Sequence, residues 1–122
     1  DVAEVHSSVQ RRFSKYNDVH AALVIFENGC VAQISANGTT NTRLERYEIH
    51  GLGISAYLEG INSGTVVSEG ETIELTGGQT NATRAKIDHF LDCIRNDRPV
   101  SLPGANLDEA IKTMELCEAI LA

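Results

Sequence analysis

Arg46-Tyr47-Glu48-Ile49-His50, followed by Gly51-Leu52-Gly53-Ile54-Ser55-Ala56, is the stretch on which the fold turns. The first five residues have the composition of a strand. The glycines after them imitate the fingerprint of dinucleotide-binding folds, which works only where glycines open a helix whose amino terminus meets a pyrophosphate. No helical period follows. Ile54, Ala56 and Leu58 alternate with Ser55, Tyr57 and Glu59, the period of a second strand, and Gly60-Ile61-Asn62-Ser63-Gly64 then breaks the chain. The glycines are therefore expected to turn one strand into the next, and no cofactor-binding residue is assigned.

Upstream, residues 2–13 set Val5, Val9 and Phe13 among polar partners, which predicts an extended segment ended by a polar break at 14–17. From 18 to 27 both faces are apolar beyond His20, with Ala22, Val24 and Phe26 on one side and Ala21, Leu23 and Ile25 on the other. Such a strand belongs in the middle of a covered sheet. Asn28-Gly29 separates it from 30–35 and predicts a hairpin with a type I′ turn, positive φ at both central residues. After a polar connection at 36–42, further strands are expected at about 43–50, 54–58, 65–67 and 72–75.

The period then changes. Ile87, Phe90, Leu91 and Ile94 fall at i, i+3, i+4 and i+7, predicting a helix over 81–96 that Arg98-Pro99 ends. Leu107, Ala110, Ile111, Met114, Cys117 and Leu121 repeat the stripe after Pro103-Gly104, with Asn106 as cap and Asp108 and Glu109 in the first turn. Strands first and helices last predict an α+β fold: an open antiparallel or mixed sheet of six to seven strands with two helices packed on one face. Residues 1–122 are read as a single domain.

With 17 Asp and Glu against 10 Lys and Arg, the formal net charge is −7, which argues against a nucleic-acid partner, because phosphate backbones are held by clustered cations. The basic cluster Arg11, Arg12 and Lys15 sits where a strand ends and reads as a solvated strand end. No apolar run approaches a membrane span and no signal peptide is evident, so no membrane partner is expected. Cys30, Cys93 and Cys117 are odd in number and widely spaced, which fits neither a disulfide framework nor a thiolate metal site and points to a reducing, cytoplasmic setting. The sequons at Asn37 and Asn81 are read as chance matches. A first residue of Asp1 suggests a processed chain or a piece of a longer one.

Candidate chemistry is sparse. Asp1 and His6, five apart on a strand, point to opposite faces. Asp18 and His20 share a face, where a carboxylate can orient an imidazole, but a structural role at the strand start is preferred. His50, Asp88 and His89 have no metal partner at useful spacing, and no Gly-x-Ser-x-Gly elbow occurs. The Arg, Tyr and Glu of residues 43–48 could line a polar pocket, but strands in open sheets carry such residues routinely. No catalytic residue is assigned.

Taken in order, Asp18-Val19-His20-Ala21-Ala22-Leu23-Val24-Ile25-Phe26-Glu27-Asn28-Gly29, then Tyr47-Glu48-Ile49-His50-Gly51-Leu52-Gly53, then Ile87-Asp88-His89-Phe90-Leu91-Asp92-Cys93-Ile94-Arg95-Asn96 and the closing helix resemble the carboxy-terminal half of the Gfo/Idh/MocA oxidoreductases. The resemblance covers nearly all of the chain. It implies a parent enzyme with an amino-terminal Rossmann domain binding NAD or NADP, and a second domain whose open sheet holds a sugar, polyol or related substrate. It also implies a homo-oligomer, a dimer or higher symmetric form, packed face to face through the helix-free side of the sheet. The family's cofactor glycines, its catalytic lysine and its Asp-x-x-x-His helix belong upstream of Val2, and its closing strand beyond Ala122. No catalytic residue is carried over, and the chain alone is expected to be inactive. Asn41 and Arg43, just before the strand to His50, correspond to positions that touch substrate in some members and are the substrate-binding candidates. The alternative is an independent, non-catalytic ligand-binding or assembly module of α+β fold.

Overall fold

The computed structural model describes residues 1–60, 63–77, 82–102 and 104–122. The expected break at Ile61 and Asn62, the helix start and sequon at Asn81, and Pro103 lie outside them. Seven strands precede two helices: β1 (Val2–Gln10), β2 (Val19–Phe26), β3 (Val31–Asn37), β4 (Arg46–Gly51), β5 (Ile54–Glu59), β6 (Ser63–Ser68), β7 (Glu71–Thr76), α1 (Ala82–Arg95) and α2 (Leu107–Leu121). This is the expected α+β plan. Hydrogen bonding divides the strands into two antiparallel sheets, β1-β2-β3 and β4-β5-β6-β7, where one continuous sheet was expected. Residues 38–45 join β3 to β4. The chain accordingly forms two compact units, Asp1–Asn41 with Phe90–Ala122, and Thr42–His89.

In the first unit β2 is central, as its two apolar faces require. Val24 pairs with Val5 and Ala32, and Ala22 with Ser7 and Ile34. Val24 is fully buried and Ala22 nearly so; removing the valine side chain from water contributes about 1.5–3 kcal/mol. The opposite face sets Leu23 between His6 and Gln33, and Ile25 between Glu4 and Val31. Glu4 and His6 are exposed there. In the same unit α2 packs along β1.

The β2–β3 hairpin differs in detail from the expected turn. Gly29 N–H donates to the Phe26 carbonyl (2.9 Å) and Phe26 N–H to the Cys30 carbonyl (2.9 Å). Gly29 has φ of 84°, whereas Asn28 is not left-handed. The loop is thus three residues, a turn through Glu27 and Asn28 closed by a left-handed glycine. Asn28 is occupied otherwise, its Oδ1 accepting the Cys30 N–H at 3.0 Å. Two successive positive φ values occur instead at Glu69 (52°) and Gly70 (82°), between paired Ser68 and Glu71.

Asn106 caps α2 as expected, its Oδ1 accepting the Glu109 N–H at 2.9 Å. At the end of α1, Arg98 N–H reaches the Cys93 carbonyl (2.8 Å) and Asp97 N–H the Ile94 carbonyl (3.3 Å). With Asp97 at φ of 48°, this is a Schellman ending, which ordinarily takes glycine at that position. Pro99 follows the stop and does not make it. The apolar stripes expected to face the sheet are open: Ile87, Phe90, Leu91 and Ile94 on α1, and Leu107, Ile111, Met114 and Leu121 on α2. Leu116 and Ile120, one turn apart, are the more covered residues of α2. That helix is apolar on more than one side, so its period alone does not select the covered one.

Gly29→Val places a β-branched residue at positive φ in otherwise open space, and is expected to cost about 1–3 kcal/mol in denaturant unfolding. Asp97→Gly removes the opposite penalty and is expected to stabilise by about 0.5–1 kcal/mol. An unchanged midpoint in either variant would contradict the assigned backbone.

Candidate functional site

The second sheet is segregated by face. The two-residue turn at Leu52-Gly53, with Gly53 at φ of 73°, pairs Gly51 with Ile54 and thereby fixes every later partner. One face carries Tyr47, Leu58, Gly64 and Leu75 in one row and Ile49, Ala56, Val66 and Ile73 in the next. It is apolar yet open, with Ile49 61% and Ile73 54% exposed. Gly64 belongs there because a Cβ would stand 2.7 Å from the Tyr57 carbonyl and 2.5 Å from Leu58 Cδ2.

The other face is polar. Arg46 pairs with Glu59, its guanidinium 2.6 Å from the carboxylate. Next along β4 and β5, Glu48 stands opposite Tyr57 and His50 opposite Ser55. His50 Nδ1 lies 3.1 Å from Ser55 Oγ, and its Nε2 lies 3.9 Å from Glu48 Oε2. The His50 and Tyr57 rings meet edge to face at 5.6 Å. Thr65 continues the row and donates to Glu74 at 3.3 Å. A serine, an imidazole and a carboxylate are in sequence, but strand amides lie in the plane of the sheet and do not converge on a carbonyl above it. The arrangement suits hydrogen bonding to a ligand's hydroxyls rather than acyl transfer.

Of the residues singled out from the sequence, Asn41 closes the first unit and Arg43 lies in the second. Arg43 Nε donates to Glu45 Oε1 at 3.0 Å; this bond, then the charge of Glu45, raises the guanidinium pKa. Asp18 is structural. Its Oδ1 accepts the Arg12 N–H at 2.9 Å, and its Oδ2 the Phe13 and Ser14 N–H groups at 2.7 Å each. The bond from Arg12 first, with those from Phe13 and Ser14, holds the carboxyl below its ordinary pKa, against a smaller opposing effect of burial. His20 takes no part in these bonds and instead pairs with Val9 and Ala36. Asp1 bonds Lys112 at 3.0 Å while His6 sits beside Glu4 at 3.2 Å. Asp88 pairs with Arg84 along α1.

Ser55 and Tyr57 are the site residues that sequence reading missed. Once the Gly51-Leu52-Gly53 turn is taken as two residues long, counting outward places both opposite His50 and Glu48. The same turn disposes of the dinucleotide fingerprint: Gly51 ends β4, Ile54 begins β5, and no helix amino terminus follows. These residues do not fit a pyrophosphate. Among the described residues, no group of three His, Cys, Asp or Glu side chains is placed to hold a metal ion, and no helix is long and apolar enough to cross a membrane.

A UDP-N-acetylglucosamine 3-dehydrogenase from Acidithiobacillus ferrooxidans superposes with a TM-score of 0.76 and 21% identity, over 82% of this chain and 33% of its own. A biliverdin reductase from Synechocystis sp. PCC 6803, solved with biliverdin and NADP+, gives 0.75 and 16% identity over 99% of this chain and 40% of that one. The chain shares its fold with a part of each of these two proteins. It spans a third to two fifths of the length of these proteins. No protein-family model and no curated protein sequence matches it. The likeness to these proteins beyond the sequence motifs therefore rests on three-dimensional structure.

Asp18 makes acid sensitivity predictable. Its folded pKa is depressed, so its contribution is full at neutral pH and is lost as pH falls from about 4 through the folded value. Asp18→Asn is expected to lower the melting temperature at pH 6, and the gap from the wild type to narrow toward pH 2. A gap independent of pH would deny the carboxylate this role.

Proposed function

We propose that the chain is the substrate-binding and oligomerisation domain, residues 1–122, of a longer two-domain NAD(P)-dependent oxidoreductase acting on a sugar, polyol or related compound. The observation that carries this reading is the division of the second sheet into a polar, hydroxyl- and carboxylate-bearing face and an open apolar face. In this reading His50, Ser55 and Glu48 hold substrate hydroxyls, the Tyr57 ring supports the apolar side of a sugar, and Asn41 and Arg43 add contacts ahead of β4. The similarity to a sugar-nucleotide dehydrogenase and to a reductase solved with NADP+ supports it. Hydride chemistry is assigned to the parent's cofactor domain, in a cytoplasmic enzyme. This chain's residues bind and orient, and no proton transfer is assigned to them.

The apolar face of Ile49 and Ile73 suits a second copy of the chain, since a contiguous open patch of this kind is usually covered in a stable assembly. A monomer at micromolar concentration would favour the independent-module reading instead.

Titrating isotopically labelled chain with monosaccharides and polyols in the millimolar range is expected to shift the amides of His50, Ser55 and Tyr57. His50→Ala and Tyr57→Ala should each weaken binding about tenfold, ~1.4 kcal/mol. Shifts scattered over both units, or none, would reject the polar face as the ligand site. NADH is expected to give no saturable micromolar signal with the same sample, and saturable binding would place cofactor contacts in this chain.

A further inference from the structure

The segment Arg11-Arg12-Phe13-Ser14-Lys15-Tyr16 joins β1 to β2 and has no role in the site described above. Phe13 is 77% exposed and Tyr16 68%, and the Lys15 ammonium lies 5.0 Å from the centre of the Tyr16 ring. The segment is held firmly for a surface loop. Asp18 takes three of its amides, Ser14 Oγ accepts the Tyr16 N–H at 3.0 Å and donates to the Tyr16 carbonyl at 2.9 Å, and Arg12 Nε donates to Gln10 Oε1 at 2.7 Å. Two rings and three cations are thus presented with little left to order on binding, which favours docking. The amides that would otherwise attract a small anion are already taken by Asp18.

An acidic, apolar counter-surface fits this knob, and the chain carries one. An open groove of about 300 Å³ on α2 is floored by Leu107, Ala110, Ile111 and Met114 and rimmed by Glu115 and Glu118. Met114 is 59% exposed and Leu107 75%, so floor and rings are both uncovered within one molecule. Three of the ten Lys and Arg of a chain with net charge −7 sit in the loop, so its positive charge faces an excess of acid on any copy it meets. Aromatic residues, Arg and Met are the types enriched at the centre of interfaces. We infer that the loop of residues 11–16 of one copy docks into the α2 groove of a second copy, rings on the apolar floor and cations on the glutamate rim. A twofold axis makes the exchange reciprocal and gives the contact twice per dimer. This contact is separate from the apolar face of the second sheet.

The test uses the chain carrying Ile49→Lys, so that association through the second sheet does not mask the result. In sedimentation at about 50 mM salt, association is expected to weaken tenfold or more with Glu115→Lys/Glu118→Lys, to return when Arg11→Glu/Lys15→Glu is added, and to fall with rising salt. Circular dichroism confirms that each variant is folded. A parallel chain with Cys30→Ser and Lys15→Cys, mildly oxidised, should yield a product of twice the mass whose disulfide joins position 15 to Cys117, an exposed thiol on α2. A monomer at about 100 μM, an association indifferent to the charge exchange, or a disulfide linking position 15 only to itself would each overturn the inference.

Discussion

The Asp18 carboxylate is the constraint on which the first unit depends. Three amides of the loop from β1 converge on it, while its own backbone N–H meets the Gln10 carbonyl at 3.0 Å and its carbonyl accepts from Gly38 N–H at 2.8 Å. One residue thereby ties the end of β1, the loop after it, the start of β2 and the end of β3. Buried polar groups must be paired, and charge-assisted bonds to backbone amides are among the stronger pairings. The same bonds fix the backbone at Phe13, while Ser14 Oγ holds that of Tyr16, so the structural clasp and the exposed aromatic knob share one loop.

A parity rule plays the corresponding part in the second unit. Side chains alternate along a strand, and a turn of two residues at Leu52-Gly53 sets which residue of β5 opposes which of β4. A single-residue slip would put Tyr57 and Ser55 on the apolar side and scatter the polar row. The left-handed Gly53 and the close approach at Gly64 are the backbone features that hold this register, and Gly53 is one of the two glycines that in a Rossmann unit would serve a pyrophosphate.

Both units leave apolar surface open. Among the described residues the buried apolar side chains are Ala22, Val24 and Cys93, whereas the stripes of α1 and α2 and one face of the second sheet are accessible to water. Surfaces of this type are ordinarily covered by another domain or another subunit. A chain spanning a third to two fifths of its structural neighbours is consistent with that.

The sequence by itself determined the elements. Local chemistry announced the strand-turn-strand at Gly51-Leu52-Gly53, the central strand around Val24, the hairpin glycine at 29 and the Asn106 cap, because each depends on side-chain period or on a φ that few residues adopt. It did not reveal that the loop at Asn28-Gly29 is three residues long, since Asn28 bonds the Cys30 amide instead of turning left-handed. Nor did it show that Asp97 stops α1, because aspartate carries no helix-ending signal until its φ is known. Tertiary structure decided the division into two sheets, which side of α2 is covered, and the meeting of His50, Ser55, Glu48 and Tyr57 on one face. The first two outcomes depend on contacts between residues distant in sequence and the third on the length of the turn at Leu52-Gly53, and a periodic pattern states that a face exists without stating what lies against it.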